Sequence, residues 1–299
     1  TIDYHGFSVY KCGPWTQGPY LLQALRLLES YDLKEQKQLS ADYIHLIVEA
    51  MKLAMADRDA HYGDPLFNNV PMLSLLSDKY TSLRRSLINP ATASQELLPG
   101  DPLKMKAVLE GPFPWTEQGG TTTLCVADRW GNVVAATPSG LGSKAGSGGS
   151  TGVIHGTRLV SLNTWKGHPN CVEPGKRPRI TLTPTLVLKD KKPVIAVSVA
   201  GGDLQDQVTL QLLLDYIEFG QLPDQAVKIP RFSTGHHIGS FGQDKPNYGS
   251  LTIQEGVEQP VIDELIRRGH QARVTTRGIG GAAMLVIDPA TGMMYGAGS

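Results

Sequence analysis

Gly119-Gly120-Thr121-Thr122-Thr123 stands directly before a strand-like run, Leu124-Cys125-Val126-Ala127-Asp128. A threonine hydroxyl is a poor nucleophile until a base sits beside it. The threonine's own α-amine is such a base once the preceding peptide bond is cut. That amine titrates near about 7.7–8, so part of it is neutral at cellular pH. Gly120 permits the strained backbone of an internal N-to-O acyl shift. Threonines that open a strand after a glycine turn also serve as plain β-formers, and the run alone leaves both readings open. Gly201-Gly202-Asp203 is the second informative place, where a strand feeds a glycine pair and a helix starts at once. Free N–H groups there suit a carboxylate or the oxyanion of acyl transfer. The plain alternative is a tight turn with Asp203 as N-cap.

Other chemistry is less well supported. The run from Gly140 to Ser150 is glycine-rich, but it lacks a closing Gly-Lys-Ser/Thr and an apolar helix behind it, so it is not a phosphate loop. His236 and His237 are adjacent and face opposite ways in an extended chain. His61 lies near Asp57 and Asp59 without a third ligand at metal spacing. No metal or cofactor is expected. No Gly-x-Ser-x-Gly elbow is present outside low-complexity glycine around Ser147. Arg177, Arg179, Arg267 and Arg268 are expected on solvated faces or as carboxylate partners inside the fold.

The elements that must position these groups divide the chain into residues 1–120, mostly helical, and residues 121–299, β-rich. A strand is expected at Phe7 to Lys11 and an apolar helix from Leu21 to about Tyr31. Ser40 is a plausible N-cap, and Ile44, Ile47, Val48, Met51, Ala54 and Met55 predict one buried helical face. A further helix spans Ser77 to Leu87. Residues 89–119 read as an exposed, proline-rich connector. Beyond Thr121 the pattern predicts strands at Thr121 to Asp128, Asn132 to Thr137, Leu159 to Leu162, Thr183 to Lys189 and Val194 to Val199. Helices from Asp203 to Phe219 and from Pro260 to Arg268 follow, then a closing hairpin at Met284 to Asp288 and Met293 to Gly296.

The chain has 299 residues, 40% hydrophobic and 19% charged, which reads as globular. Lys plus Arg equals Asp plus Glu at 28 each, so the charge gives no reason to expect nucleic acid as partner. Three scattered cysteines, Cys12, Cys125 and Cys171, make neither a disulfide framework nor a zinc site. No apolar run of about 18 residues could span a membrane. The chain opens on Thr1-Ile2-Asp3-Tyr4 without an initiator Met, which points to a processed product or a fragment.

Several motifs in one order carry a resemblance. Thr121 to Asp128 with Gly131-Asn132-Val133-Val134 resembles the start of the small subunit of γ-glutamyltranspeptidases. Glu173-Pro174-Gly175-Lys176-Arg177-Pro178, Leu182 to Asp190, Lys192-Pro193-Val194, Gly201-Gly202, Ala226-Val227 and Pro230-Arg231-Phe232 follow at similar spacing. Upstream, Gln17-Gly18-Pro19, Ala56-Asp57-Arg58 and Gly63-Asp64-Pro65 resemble the end of that family's large subunit. The resemblance covers essentially the whole chain. It implies an α+β fold, the four-layer αββα sandwich of N-terminal-nucleophile hydrolases, with the N-terminal part of the large subunit missing. It also implies cleavage between Gly120 and Thr121. Thr121 would then be the catalytic nucleophile, Gly201 and Gly202 the oxyanion hole, and Ser139 its hydrogen-bonding neighbour. Thr1 is a rival N-terminal nucleophile, but Ile2-Asp3-Tyr4-His5 does not match the small-subunit start.

The departures concern substrate recognition. Gly140-Leu141 stands where the family has an asparagine, and Ile180-Thr181 where it has two serines for the α-carboxylate. A lid loop is shortened to Gly167-His168-Pro169-Asn170. Thr181, Asn163 and Asp203 are the remaining candidates for substrate binding. Leu and Ile cannot replace charge-assisted bonds to a zwitterionic head. The expected function is a self-processing amidohydrolase or transferase acting on γ-glutamyl or related small-molecule or peptide amides. Its partner would be the missing large-subunit segment or a second copy. The alternatives are an acylase with a non-glutamyl substrate, a non-catalytic binding relative, and a serine hydrolase using the glycine-rich loop.

Overall fold

The computed structural model describes residues 1–109, 122–140, 146–152 and 154–299. The first part of the chain runs β1 (Ile2–Tyr4), β2 (Phe7–Lys11), α1 (Pro19–Leu28), α2 (Ala41–His61), α3 (Met72–Leu75) and α4 (Asp78–Arg85). The second runs β3 (Leu124–Ala127), β4 (Val133–Ala136), β5 (Thr185–Lys189), β6 (Lys192–Ala200), α5 (Leu204–Ile217), α6 (Pro223–Ala226), β7 (Phe232–Ser233), β8 (Ser250–Gln254), α7 (Gln259–Arg267), β9 (Gln271–Thr275), β10 (Gly281–Ile287) and β11 (Met294–Gly298).

One antiparallel sheet, in the order β1-β2-β5-β6-β10-β11, draws strands from both parts of the chain. The β5–β6 hairpin, like β1–β2, has a two-residue connection. Lys189 pairs with Lys192 around Asp190 and Lys191, both at positive φ (50° and 64°). Two such residues match the twist of the flanking strands. Helix α5 packs on β6, α1 packs on α5 and α2, and α1 also touches β1 and β2. The β3–β4 hairpin packs against β6 and β10. Ser198 Oγ on β6 donates to the Ala136 carbonyl at 2.7 Å, and Cys125 Sγ donates to that of Ala283 at 3.3 Å. The described residues thus stack as helices, six-stranded sheet and second sheet. A third sheet, β7-β8-β9, pairs β8 and β9 in parallel.

The local signals for α2 hold. Ser40 Oγ accepts from the Tyr43 N–H at 3.2 Å, and Asp42 lies in the first turn. The helix is buried almost all round from Tyr43 to Asp59, not along one face, because α1, α7 and the following segment all surround it. That segment is the expected exposed connector, and its described part is a strap tied to the core. The Gly100 N–H donates to Asp57 Oδ1 at 2.8 Å, and Arg84 donates to the carbonyls of Leu98 and Leu53. The expected strand at Leu159 to Leu162 is a 3₁₀ turn, Arg158–Ser161. Leu159 and Val160 are exposed and among the described residues no strand pairs with them, so an apolar run alone did not make a ladder.

Burial also places titratable groups in the core. His45, His236 and His270 are buried, with His45 Nδ1 and His270 Nε2 2.8 Å apart. Desolvation lowers all three, His236 to about 3 and His270 to about 2. The unfolded chain takes up these protons below about pH 6.5 and the fold refuses them, so stability falls as the pH drops through that value. Asp206 and Asp215, raised by burial to about 6 and about 7, work in the opposite direction. A difference measurement isolates the histidine. The destabilisation caused by His270→Gln is expected to be largest at pH 7.5. It should shrink by up to about 1.4 kcal/mol per pH unit below about pH 6.5. Urea unfolding of both proteins at pH 7.5, 6.5 and 5.5 reads it, and a constant difference would contradict it.

Candidate active site

Strand β6 ends at Ala200 and delivers Gly201 and Gly202 to a tight turn at φ +133° and +59°. Both values favour glycine. A Cβ on Gly202 would meet the Phe241 ring at 3.1 Å. The Gly201 and Gly202 carbonyls accept the Leu204 and Gln205 amides and so start α5. Among the described residues neither glycine N–H donates to a protein acceptor. These two donors border a cavity of about 1020 Å³ that is also lined by Asp203, Ser240 and Phe241.

Asp203 does not cap α5: its side chain makes no cap bond, and its φ and ψ are already helical. Instead Oδ1 accepts from Arg58 Nη1 and from Ser240 Oγ, each at 2.5 Å, and Oδ2 accepts from the Ser240 N–H at 2.8 Å. Burial raises the Asp203 pKa, but Arg58, His237 and Arg179 outweigh it and hold the group below the usual carboxylate range. Arg58 is fully buried on α2. It also donates to Gln17 Oε1 (2.9 Å), to Asp59 Oδ1 (2.9 Å) and to the Ile238 carbonyl (2.8 Å). Arg179 bridges Asp59 at 3.1 Å and Ser240 at 2.8 Å. Gln17 Nε2 donates to the Gly202 carbonyl at 3.2 Å. Two buried arginines and two carboxylates therefore lock the glycine turn to α2 and to the segment 237–240. Sequence reasoning saw Arg58 only within a motif, because its partner Asp203 lies 145 residues away.

Gly120 and Thr121 lie outside the described residues. Thr122, covalently next, donates its N–H to the Pro138 carbonyl at 3.2 Å, so the start of β3 is tied beside Ser139. Ser139 Oγ accepts from Arg158 Nη2. The Arg158 guanidinium lies 5.1 Å from the Phe241 ring centre, and Phe241 lines the same cavity as Gly202. The structure thus groups Ser139, Gly201, Gly202 and Asp203, and adds Arg158 and Phe241. Neither of these two carries a local sequence signal.

Thr181 and Asn163 are placed elsewhere. Thr181 is fully buried and packs against Gln205 of α5. Asn163 donates to His168 Nδ1 at 2.8 Å and accepts from the Trp165 N–H at 3.1 Å. Burial lowers His168 to about 4, so the ring is neutral and its Nε2–H donates to the Asp59 carbonyl at 2.8 Å. The shortened loop is thereby pinned to α2. The Pro169 carbonyl also accepts from Asn68 at 2.7 Å.

Among the described residues one group of possible metal ligands was not foreseen. Donor atoms of His45, Glu49 and His270 lie within 4.8 Å of one another. His45 and Glu49 are one helical turn apart, but His270 comes from the far end of the chain. The donors are already engaged, His45 with His270 at 2.8 Å and Glu49 with the Lys52 ammonium at 2.6 Å. No helix of the described residues is long and apolar enough to cross a membrane.

Comparison with known proteins adds to this geometry. The sequence profile described as Gamma-glutamyltranspeptidase matches residues 1–299. A glutathione hydrolase proenzyme of Bacillus subtilis (strain 168) is 33% identical over 306 residues, covering 98% of this chain and 50% of the relative. The solved structure of LmbA2991HD has a TM-score of 0.88 at 40% identity, covering 99% of this chain and 53% of that one. A cephalosporin acylase from Bacillus halodurans has a TM-score of 0.81 at 27% identity, covering 100% and 51%. The chain spans about half the length of the curated relatives it matches. The α+β fold of the chain is the one that these structural neighbours share.

Proposed function

The chain belongs to the gamma-glutamyltranspeptidase family, and on that premise we propose that it is a self-processing amidohydrolase or transferase with Thr121 as its nucleophile. The supporting observation is the Gly201–Gly202 turn, whose two N–H groups, without a protein acceptor among the described residues, border the large cavity that Asp203, Ser240 and Phe241 also line. Cleavage between Gly120 and Thr121 frees the threonine amine. That amine takes the Oγ proton as Oγ attacks the amide carbonyl carbon. The developing oxyanion is held by the Gly201 and Gly202 amides, a type of contact worth roughly 2.7–4 kcal/mol per donor. The C–N bond breaks, and the leaving amine takes the proton from the threonine ammonium. Water or an acceptor amine then attacks the ester and regenerates Thr121. Ser139 orients Oγ, and Arg158 holds Ser139.

A second reading concerns the acyl group. Thr181 is fully buried, and Asn163 is used within its own loop. Neither offers a contact to a glutamyl head group, which favours an acylase with a non-glutamyl substrate over a strict γ-glutamyl enzyme. The remainder of a proenzyme, or a second copy of the chain, is the proposed partner completing the site. Mass spectrometry after brief reaction with γ-glutamyl- and glutaryl-p-nitroanilide tests the chemistry. The peptide beginning at Thr121 should gain the acyl mass. Acylation confined to Ser147 or Ser150 would transfer the role to the glycine-rich loop.

A further inference from the structure

We propose that Gln17 is a positioning residue for acyl transfer: it latches the Gly202 carbonyl on the core side of the turn and so keeps the Gly201 and Gly202 N–H groups aimed at the cavity. This rests on the reading of that turn as the oxyanion site. Two adjacent glycines have no Cβ to limit their rotation, so the pair does not hold its own aim. Oxyanion donors accelerate acyl transfer when they are fixed before the charge develops. Within the turn, the Leu204 N–H fixes the Gly201 carbonyl at 3.0 Å, and the Gln205 N–H reaches the Gly202 carbonyl at 3.2 Å. Gln17 bonds the glycine backbone from outside the turn, with Nε2 donating to the Gly202 carbonyl at 3.2 Å.

Gln17 is itself held still. It is fully buried between β2 and α1. Its N–H donates to the Ile180 carbonyl at 2.9 Å, and its own carbonyl accepts from the Tyr20 N–H at 3.1 Å. Its side-chain oxygen accepts from Arg58 Nη1 at 2.9 Å. An arginine donates and a backbone carbonyl accepts, so these two neighbours dictate which end of the amide faces which. The same Nη1 donates to Asp203 Oδ1 at 2.5 Å. One guanidinium thus fixes the peptide between Gly202 and Asp203 twice, directly at the Asp203 carboxylate and through Gln17 at the Gly202 carbonyl. Gly202 and Asp203 line the cavity, whereas Gln17 lies behind them in the core. A half-turn of that peptide would break the Gln17 bond and bring the carbonyl oxygen round to the cavity side, where its negative end opposes a developing oxyanion.

Two variants separate the latch from a merely structural role. Gln17→Met removes the donor, and Gln17→Glu keeps the reach to Arg58 but sets a carboxylate oxygen against the Gly202 carbonyl. With glutaryl- and γ-glutamyl-p-nitroanilide, kcat is expected to fall about tenfold in the methionine variant and about a hundredfold in the glutamate variant, with KM within about threefold of native. A direct reporter needs no turnover. In protein with carbon-13 at the glycine carbonyls and nitrogen-15 in aspartate, the Gly202 carbonyl is detected through Asp203. Gly63 and Gly100, which also precede aspartates, serve as internal references. Loss of the bond should move the Gly202 carbonyl resonance upfield in both variants and leave the references in place. An unmoved Gly202 carbonyl, or a glutamate variant that turns over as fast as the methionine variant, would overturn the proposal. The acyl-transfer reading fails separately: a native protein that never acylates Thr121, but whose Gly202 carbonyl still answers to Gln17, keeps the latch and loses the chemistry.

Discussion

Thr121→Ala is expected to stay a single uncleaved chain and to lose at least about 10⁴-fold in turnover, because it removes both the attacking oxygen and the acyl-shift nucleophile. The fold should survive. Thr122 is tied to Pro138 and β3 pairs with β4 through backbone bonds that the substitution leaves alone. Far-ultraviolet circular dichroism and the unfolding midpoint should therefore match the native protein. Thr121→Ser keeps an oxygen at the same place and should process more slowly and retain part of the activity. Processing or full turnover by the alanine variant would reassign the nucleophile.

Arg58→Met is expected to cost about 3–5 kcal/mol of stability, the usual size when one member of a buried ionic network is removed and its partners stay charged. Arg58 is fully buried and faces Asp59 at 2.8 Å and Asp203 at 2.5 Å. Methionine matches its volume but leaves both carboxylates with less compensation, although Arg179 still reaches Asp59. The loss should reach the site as well. Asp203 directly follows Gly202 and bonds Ser240 twice, so freeing it loosens the turn that aims the two N–H groups. Arg58→Lys restores the charge but not the forked geometry, and is expected to recover part of the stability and little of the turnover. Urea unfolding with parallel kcat and KM measurements checks this. A methionine variant within about 1 kcal/mol of the native protein would show that the network is not what holds the turn.

The parts of the fold that were legible in the sequence are those set by neighbours along the chain. The Ser40 cap, strand β2, the β3–β4 and β5–β6 hairpins and the entry of α5 after Gly202 all follow from residues within a few positions. Strand β1 was missed because three residues carry no periodicity and among the described residues their ladder partner is β2 alone. The 3₁₀ turn at Arg158–Ser161 was read as a strand because apolar composition says nothing about whether a partner strand lies beside it. At the site, Gly201-Gly202 was readable as a tight strand-to-helix turn, and the structure gives both glycines positive φ. Asp203 was weighed as a cap or a ligand group, and its true engagement with Arg58 depends on contact between α2 and the α5 entry. Thr181 and Asn163 were candidates from their place in the family pattern, and their burial and their contacts with Gln205 and His168 are tertiary features with no local signal. Arg158 bonds Ser139 and lies over the Phe241 ring, a grouping that tertiary structure alone creates.

The most direct test of the account is the covalent state of the bond between Gly120 and Thr121. Intact-mass spectrometry of the purified protein, with N-terminal sequencing after incubation at neutral pH, should find two pieces. One should end at Gly120 and the other begin with a free Thr121 amine. A chain that remains continuous through Gly120 and Thr121 under those conditions would contradict the proposed nucleophile and the self-processing mechanism.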